Sequence, residues 1–190
     1  MNSAIAQETE SSHVCPYQFA FMLDNWLRKL IQKPGKMLGD YIKKGDTVID
    51  VGCGPGFFTI DIAKMVGENG KVVAVDLQPQ MLEKVKKKAV KHGVANRIDA
   101  HQSQSGAIGL DCKADFILGY YMIHETGNPR AFLAEMCQML KPDGRLLIVE
   151  PKMHVNRQLF ETMIEEAQSV GLTVADFPKG KGGRSVLFKI

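Results

Sequence analysis

The sequence predicts an α/β domain with a mostly parallel, doubly wound sheet, and three observations support this prediction. Five apolar stretches that suit strands alternate with segments of helical periodicity, as is typical of parallel βαβ units. The first predicted strand runs directly into a glycine turn and a helix start, between residues 47 and 59. The last two predicted strands are joined by a loop too short for a parallel crossover, so we expect an antiparallel pair at the end of the chain.

Length and composition limit the classes of protein that fit. The 190 residues suit one domain with a substantial core. A formal net charge of +3 is too small to favour nucleic acid or an anionic membrane as a partner. The four cysteines form no C-x-x-C pair, which favours reduced thiols in a cytoplasmic protein. The first residues lack the basic and apolar regions of a signal peptide, and no apolar run is long enough to span a bilayer.

The domain boundaries follow from the change in pattern along the chain. Residues 1–15 are predicted to be a flexible N-terminus, and residues 16–190 a single domain. Within it, residues 16–43 are predicted to be helical, because apolar residues recur at helical spacing from Pro16 onward. The core then spans residues 44–190. Two interpretations of the helices stay open: a lid over the ligand-binding edge, or a cover for one edge of the core.

The stretch from residue 47 to residue 59 is the most informative part of the sequence. Thr47–Val51 contains three β-branched apolar residues that suit a buried strand. Gly52, Gly54 and Gly56 then permit backbone angles that other residues avoid, and they let a ligand approach the main chain. The dinucleotide fingerprint G-x-G-x-x-G would need its third glycine at Phe57, one residue later than Gly56. This spacing disfavours an NAD(P)-dependent oxidoreductase.

A carboxylate at the end of the second predicted strand, residues 71–77, fits a nucleotide site. Asp76 follows Gly56 by 20 residues, where an acidic residue meets ribose hydroxyl groups in nucleotide-binding α/β folds. The next helix is predicted from Pro79 to His92, with Gly93 just beyond its end. It carries several lysines, which we interpret as the solvated face of an amphipathic helix and not as a nucleic-acid surface. These lysines are Lys84, Lys86, Lys87, Lys88 and Lys91.

The remaining elements continue the alternation. Further strands are predicted at residues 97–102, 114–122, 145–150, 172–177 and 185–190. Two more helices are predicted to begin at the caps Asn128 and Asn156. The turn Lys141–Gly144 is predicted to stop the first of them, and Gly171 to close the second.

Four motifs together resemble class I S-adenosylmethionine-dependent methyltransferases. They are Asp50–Gly56, Val75–Asp76, the segment from Asp115 to Glu125, and Leu140–Leu146. Within that superfamily the chain is most similar to small-molecule enzymes of the ubiquinone/menaquinone and arsenite type. The resemblance implies a Rossmann-like three-layer sandwich with a seven-stranded sheet in the order 3-2-1-4-5-7-6. It also implies transfer of the sulfonium methyl group by in-line displacement.

The resemblance also assigns a cofactor site. Main-chain N–H groups of the glycine turn would meet the methionine carboxylate, Asp50 the methionine ammonium and Asp76 the ribose hydroxyl groups. The adenine would lie against Leu77 and Met81. Gln102 and Ser103 stand where related enzymes often have an acid that contacts adenine, and Gly119 and Tyr120 lie near the methionine moiety. The full predicted set is Asp50, Gly52, Cys53, Gly54, Pro55, Gly56, Phe57, Phe58, Asp76, Leu77, Met81, Gln102, Ser103, Gly119 and Tyr120.

Candidate catalytic residues follow the fourth predicted strand. His124 is the candidate general base, and the alternative is a loop histidine bonded to the backbone. Tyr121 is a candidate for the acceptor pocket, and the alternative is a core residue. A second polar set, Glu150–His154, follows the fifth strand at the same edge of the sheet. A further alternative is a metal or metalloid site formed by His13, Cys15, His124, Glu125 and His154.

The function that fits best is methyl transfer from S-adenosylmethionine to a small-molecule acceptor. Methylation of nucleic acid is disfavoured, because the segment Gly119–Met122 lacks the Asn/Asp-Pro-Pro-aromatic run that resembles those enzymes. Two alternatives stay open: a methyltransferase-like protein that binds S-adenosylmethionine without turnover, and methylation of a metalloid or thiol acceptor. The sequence leaves open whether the protein is a monomer or a homodimer.

Overall fold

The structure is a computed structural model that describes residues 33–190. The predicted flexible residues 1–15, the helical periodicity that begins at Pro16, and the candidate ligands His13 and Cys15 lie outside the described residues. All structural statements below refer to the described part of the chain.

Seven strands form one sheet in the order β3-β2-β1-β4-β5-β7-β6, which confirms the predicted order. The strands are β1 Thr47–Val51, β2 Lys71–Asp76, β3 Ile98–Gln102, β4 Ala114–Tyr120, β5 Leu140–Glu150, β6 Thr173–Asp176 and β7 Arg184–Lys189. The pairs among β1 to β5 are parallel. Strand β7 runs antiparallel to both β5 and β6. The predicted antiparallel end of the sheet is therefore confirmed.

Helices cover both faces of this sheet. In the described residues they are α1 Pro34–Leu38, α2 Thr59–Val66, α3 Pro79–Lys91, α4 Pro129–Met139 and α5 Arg157–Ser169, with 3-10 turns at Ala95–Arg97 and Ile123–Glu125. The predicted caps are present: the Asn128 side chain accepts the Ala131 N–H at 3.1 Å, and that of Asn156 accepts the Leu159 N–H at 2.9 Å. Gly93 has φ +67°, as expected for a residue just past a helix end.

Alternate residues of the central strands point into two separate cores. Ile49 and Ile117 face α4 and α5 in one core. Val48 and Phe116 face α1 and α2 in the other. Leu82 and Val85 of α3 pack on the β2 residue Ala74 in a smaller cluster. Because side chains alternate across a strand, one sheet supports both helical layers, and the three-layer architecture is confirmed.

Most predicted strand ends lie within one residue of the observed ends, and the larger differences have local reasons. Strand β4 ends at Tyr120 because Tyr121 has φ +59°, in the left-handed region that ends an extended strand. Helix α2 begins at Thr59, after Gly56 turns the chain with φ +83°. Strand β5 begins at Leu140, so the segment predicted as a turn belongs to the strand as a bulge. Ala114 pairs there with Leu140, and Phe116 pairs with Arg145.

Across residues 33–190, none of the helices has both the length and the apolar character needed to cross a bilayer.

Candidate active site

The carboxyl ends of five parallel strands bring the predicted site residues to one edge of the sheet. The glycine turn follows β1, Asp76 ends β2, and Gln102 ends β3. Tyr120 ends β4 and Glu150 ends β5. Ligands bind at this edge in open α/β sheets, where neighbouring loops diverge.

Each glycine of the turn after β1 has a positive φ, but the surroundings of the three glycines differ. A Cβ on Gly52 would lie 2.7 Å from the Met122 Cβ, and one on Gly56 would lie 3.1 Å from a Val85 methyl carbon. These two glycines therefore permit close packing. A Cβ on Gly54 would meet no atom within 4 Å. The main chain at Gly54 is consequently open to a ligand.

Asp76 is held against the glycine turn by two backbone hydrogen bonds. Its Oδ2 accepts the Gly54 N–H at 2.8 Å, and its Oδ1 accepts the Gln78 N–H at 2.9 Å. Burial raises the pKa of the Asp76 carboxyl, and these two hydrogen bonds oppose that effect. Each carboxylate oxygen retains a lone pair beyond the one engaged, so the group can accept two more hydrogen bonds.

Asp50, on β1, is buried next to the first residue of α2, with 2% of its surface exposed. Its Oδ2 accepts a hydrogen bond from the Thr59 hydroxyl at 2.6 Å. Burial raises the pKa of Asp50 to about 6; the Thr59 hydrogen bond acts to lower it and the charge of Asp76 to raise it further. Sequence reasoning missed this role of Thr59, because its hydrogen bond joins α2 to a strand residue nine positions earlier.

The other residues of the turn provide packing and order. The Cys53 N–H donates to the Val75 carbonyl at 2.9 Å, which ties the turn to β2. Burial, with the charges of Asp50 and Asp76, raises the pKa of the Cys53 thiol well above its ordinary value, so this thiol stays protonated. The Pro55 carbonyl accepts the Lys88 ammonium at 2.7 Å.

The phenylalanines after the turn are buried and form an aromatic row toward β4. The rings of Phe57 and Phe58 meet edge to face with centroids 4.9 Å apart. The Phe58 ring lies 4.5 Å from that of Tyr120. This row joins the start of α2 to the end of β4.

The residues predicted to surround adenine lie together around the end of β2. The Gln102 amide donates to the Leu77 carbonyl at 3.3 Å, and the Ser103 N–H donates to the Asp76 carbonyl at 3.1 Å. Leu77 is 37% exposed and offers an apolar surface, whereas Met81 is 2% exposed and packs into the core. The exposed Leu77 is therefore the better placed of the two for contact with a ligand.

Two tyrosines after Gly119 bind the loop that joins β6 to β7. The Tyr120 hydroxyl donates to the Lys181 carbonyl at 3.0 Å, and the Tyr121 hydroxyl to the Gly182 carbonyl at 2.6 Å. The buried Lys181 ammonium donates to the Met37 carbonyl and lies 4.8 Å from the centre of the Tyr41 ring. Sequence reasoning did not find this role of Lys181, because the partners are far apart in the chain.

His124 and Glu150 form a pair across the ends of β4 and β5. The Glu150 carboxylate, 1% exposed, accepts the Ile123 N–H at 2.9 Å and hydrogen-bonds to Nδ1 of His124. Burial acts to lower the pKa of His124, but the hydrogen bond and charge of Glu150, with the charge of Glu125, raise it above its ordinary value overall. The His124 ring is thus bonded to a side-chain carboxylate.

The structure gives a metal site no support in residues 33–190. The His154 ring lies 5.5 Å from that of His124, which brings two of the candidate ligands together. Yet no three His, Cys, Asp or Glu side chains in this part of the chain are arranged to hold a metal ion.

The acidic residue Asp115 lies at the opposite edge of the sheet, where it accepts the Thr47 N–H and the Lys141 ammonium.

Comparison with known proteins places this geometry in context. A family model described as a methyltransferase domain matches residues 42–182. Over 126 residues, or 66% of the chain, the sequence is 32% identical to the ubiquinone/menaquinone biosynthesis C-methyltransferase UbiE of Francisella tularensis subsp. novicida. It is 33% identical over 110 residues, 57% of the chain, to the protein of that name from Escherichia fergusonii. The matched segments cover 48% and 44% of these proteins, so the chain spans about half the length of the curated relatives it matches.

One solved structure is similar over nearly its full length. It is described as an SAM-dependent methyltransferase from Aquifex aeolicus. The alignment has a TM-score of 0.81 and 30% sequence identity, and it covers 92% of this chain and 98% of that chain.

Proposed function

Because the chain belongs to the methyltransferase domain family, within the class I S-adenosylmethionine-dependent group, we propose that it transfers the methyl group of S-adenosylmethionine to a small-molecule acceptor. The main support for the proposal is the position of the Asp76 carboxylate beside the open main chain of Gly54. The Gly54 N–H donates to Oδ2 of Asp76 at 2.8 Å. This arrangement fits a ligand with a nucleoside part and an amino-acid part.

The donor set at this edge fits both parts of S-adenosylmethionine. The free lone pairs of Asp76 suit the ribose hydroxyl groups, and the exposed side chain of Leu77 suits the adenine ring. Gly54 leaves room for a ligand against the main chain. Asp50 supplies a buried carboxylate on the strand that leads into the turn. When bound, S-adenosylmethionine supplies a methyl group that its sulfonium activates. When the methyl group is transferred, the C–S bonding pair stays on sulfur.

The proposal of a small acceptor rests on surface charge and on the relatives. In the lysine-rich helix α3, Glu83 offsets the charge of Lys86, and the Lys88 ammonium is held by the Pro55 carbonyl. This pattern suits a solvated helix more than a nucleic-acid surface. The curated relatives are named as biosynthetic C-methyltransferases, which favours an organic molecule as acceptor here.

The test is to follow the methyl group into a product. The purified protein is incubated with S-adenosylmethionine labelled in the methyl group and a whole-cell extract of its source, and the products are separated by size. Relative to extract alone, we expect added label in the small-molecule fraction, and much less of it when Asp76→Ala protein is used. Label confined to RNA or protein would overturn the proposed acceptor class. Calorimetry showing no binding of S-adenosylhomocysteine would overturn the proposed cofactor.

A further inference from the structure

We propose that Glu150 is a positioning residue that fixes the tautomer of His124, so that Nε2 of His124 takes a proton from the methyl acceptor. The inference rests on the proposed function and deepens it. The acceptor would then be a molecule whose nucleophilic atom carries a proton, such as a hydroxyl compound. An acceptor that is already a strong nucleophile, such as a free thiolate, would not need this pair.

The argument begins with the hydrogen bonds of Glu150. Oε1 accepts the Ile123 N–H at 2.9 Å, and Oε2 bonds to Nδ1 of His124. An ionised carboxylate can only accept hydrogen bonds, so the proton of a neutral His124 must lie on Nδ1. Nε2 then carries a lone pair and can act as a base. The Ile123 contact prevents the carboxylate from rotating freely, which gives the pair a defined geometry.

The pair lies beside the proposed cofactor turn. His124 belongs to the 3-10 turn Ile123–Glu125 that follows β4, the strand next to β1 in the sheet. Met122, two residues before His124, packs so closely on Gly52 that a Cβ there would lie 2.7 Å from the Met122 Cβ. The base and the cofactor turn are thus held in one packed unit, which favours a role in transfer of the methyl group.

The charged and titratable groups around His124 come from three elements. Glu125 lies on the same turn, and the His154 ring lies 5.5 Å away on the loop after β5. Arg184 of β7 pairs with Glu150 in the sheet, but its guanidinium donates to the Val155 carbonyl. The two carboxylates favour the charged imidazolium and keep the pKa of His124 above its ordinary value. The pair is therefore able to hold a proton once it has been accepted.

The proton step is balanced without any further reagent. The proton of the acceptor hydroxyl passes to Nε2, and the O–H bonding pair remains on the acceptor oxygen, which becomes the nucleophile. His124 becomes an imidazolium whose Nδ1–H still donates to the Glu150 carboxylate. The proton then leaves Nε2 for solvent, and the neutral His124 is restored.

The first test uses nitrogen NMR of the imidazoles in the protein without acceptor, so it does not depend on activity. In wild-type protein we expect neutral His124 with its proton on Nδ1. In Glu150→Gln the amide keeps the shape of the side chain but removes its charge. We expect the titration midpoint of His124 to fall by about 1 pH unit, as is typical when a neighbouring opposite charge is lost. The matched control Glu125→Gln, in the same turn, should move it less.

The second test compares turnover with pH, using the acceptor recovered in the labelling experiment. In wild-type protein kcat/KM for the acceptor should rise with pH through the NMR midpoint of His124, because only the neutral imidazole accepts a proton. Glu150→Gln should lower kcat and move this rise to lower pH, with affinity for S-adenosylhomocysteine unchanged. His124→Gln should abolish the rise.

The outcomes separate this inference from the proposed function. Neutral His124 protonated on Nε2, a midpoint that Glu150→Gln does not move, or a kcat/KM that is flat across the midpoint would each overturn the inference. The cofactor and the acceptor class would stand in those cases. If S-adenosylhomocysteine fails to bind, the proposed function fails, and the NMR result still decides whether Glu150 fixes the tautomer.

Discussion

The Thr59 hydroxyl donates to Oδ2 of Asp50 across 2.6 Å, in a site that is closed to solvent. This single hydrogen bond does not compensate for burial, which raises the pKa of Asp50 to about 6. In the folded protein Asp50 therefore binds its proton more tightly than in the unfolded chain. By linkage, the contribution of Asp50 to the free energy of unfolding falls as pH rises from about 4 to about 6, and then stays at the lower value.

Asp50→Asn should consequently stabilise the fold at neutral pH. The substitution removes the buried charge and keeps an oxygen that can accept from Thr59. The expected gain in the free energy of unfolding is up to about 3 kcal/mol at pH 7.5, the equivalent of a shift of about two pKa units. At pH 4 most of the gain should disappear, because Asp50 is then protonated in the folded state and about half protonated in the unfolded chain. Urea denaturation at the two pH values measures this difference.

Asp115→Asn is the matched control for that experiment. The Lys141 and Thr47 hydrogen bonds outweigh burial and hold the pKa of Asp115 below its ordinary value. The stability that Asp115 contributes is therefore present above its unfolded pKa and is lost as pH falls. Its removal should destabilise the protein at pH 7.5 and matter less in acid. A gain for Asp50→Asn that is equal at both pH values would contradict the account of the buried charge.

Asp76→Ala should weaken the binding of S-adenosylhomocysteine. The carboxylate can accept the ribose hydroxyl groups, and it also orders the Gly54 and Gln78 N–H groups at 2.8 and 2.9 Å. Loss of hydrogen bonds to a charged group costs about 1.5–3 kcal/mol, which corresponds to an increase in Kd of about 10-fold to 150-fold. Isothermal titration calorimetry gives the Kd directly. Asp99→Ala, in an exposed ion pair with Lys71, should leave it unchanged.

Gly54→Ala should weaken the binding of S-adenosylhomocysteine far more than Gly109→Ala, which introduces a similar backbone strain away from the candidate site. Gly54 and Gly109 have φ +52° and +69°, and a Cβ on either meets nothing within 4 Å. Both alanine variants should therefore lose about 1–2 kcal/mol of stability through the left-handed backbone alone. Only Gly54→Ala should also lose affinity for S-adenosylhomocysteine, in paired melting and calorimetry measurements. Equal affinities in the two variants would place the ligand away from the turn.

Tyr120→Phe should destabilise the protein more than Tyr121→Phe. Tyr120 is buried, so its loss leaves the Lys181 carbonyl without this donor in a dry environment, at a cost of about 1–3 kcal/mol. The Gly182 carbonyl that Tyr121 binds is nearer solvent, and water can replace the donor there. Urea denaturation ranks the two. A fall in kcat for Tyr121→Phe at unchanged stability would instead give its hydroxyl a catalytic role.

Much of the fold follows from local patterns in the sequence. The apolar strands, the asparagine caps at Asn128 and Asn156, and the order of helices and strands depend on residues close together in the chain. The bulge in β5 did not follow, because Lys141–Gly144 also suits a turn. Its extended pairing depends on the opposite strand, where Ala114 and Phe116 pair with Leu140 and Arg145.

The sequence by itself determined the strand, glycine turn and carboxylate of a nucleotide site, since Gly52–Gly56 and Asp76 follow fixed local spacings. Only the tertiary structure decided which side chains meet across the sheet. His124 and Glu150 are 26 residues apart, and Tyr120 and Lys181 are 61 apart. Their contacts depend on strand order, register and the left-handed turn at Tyr121. These are set by packing of the whole sheet, which no local pattern encodes.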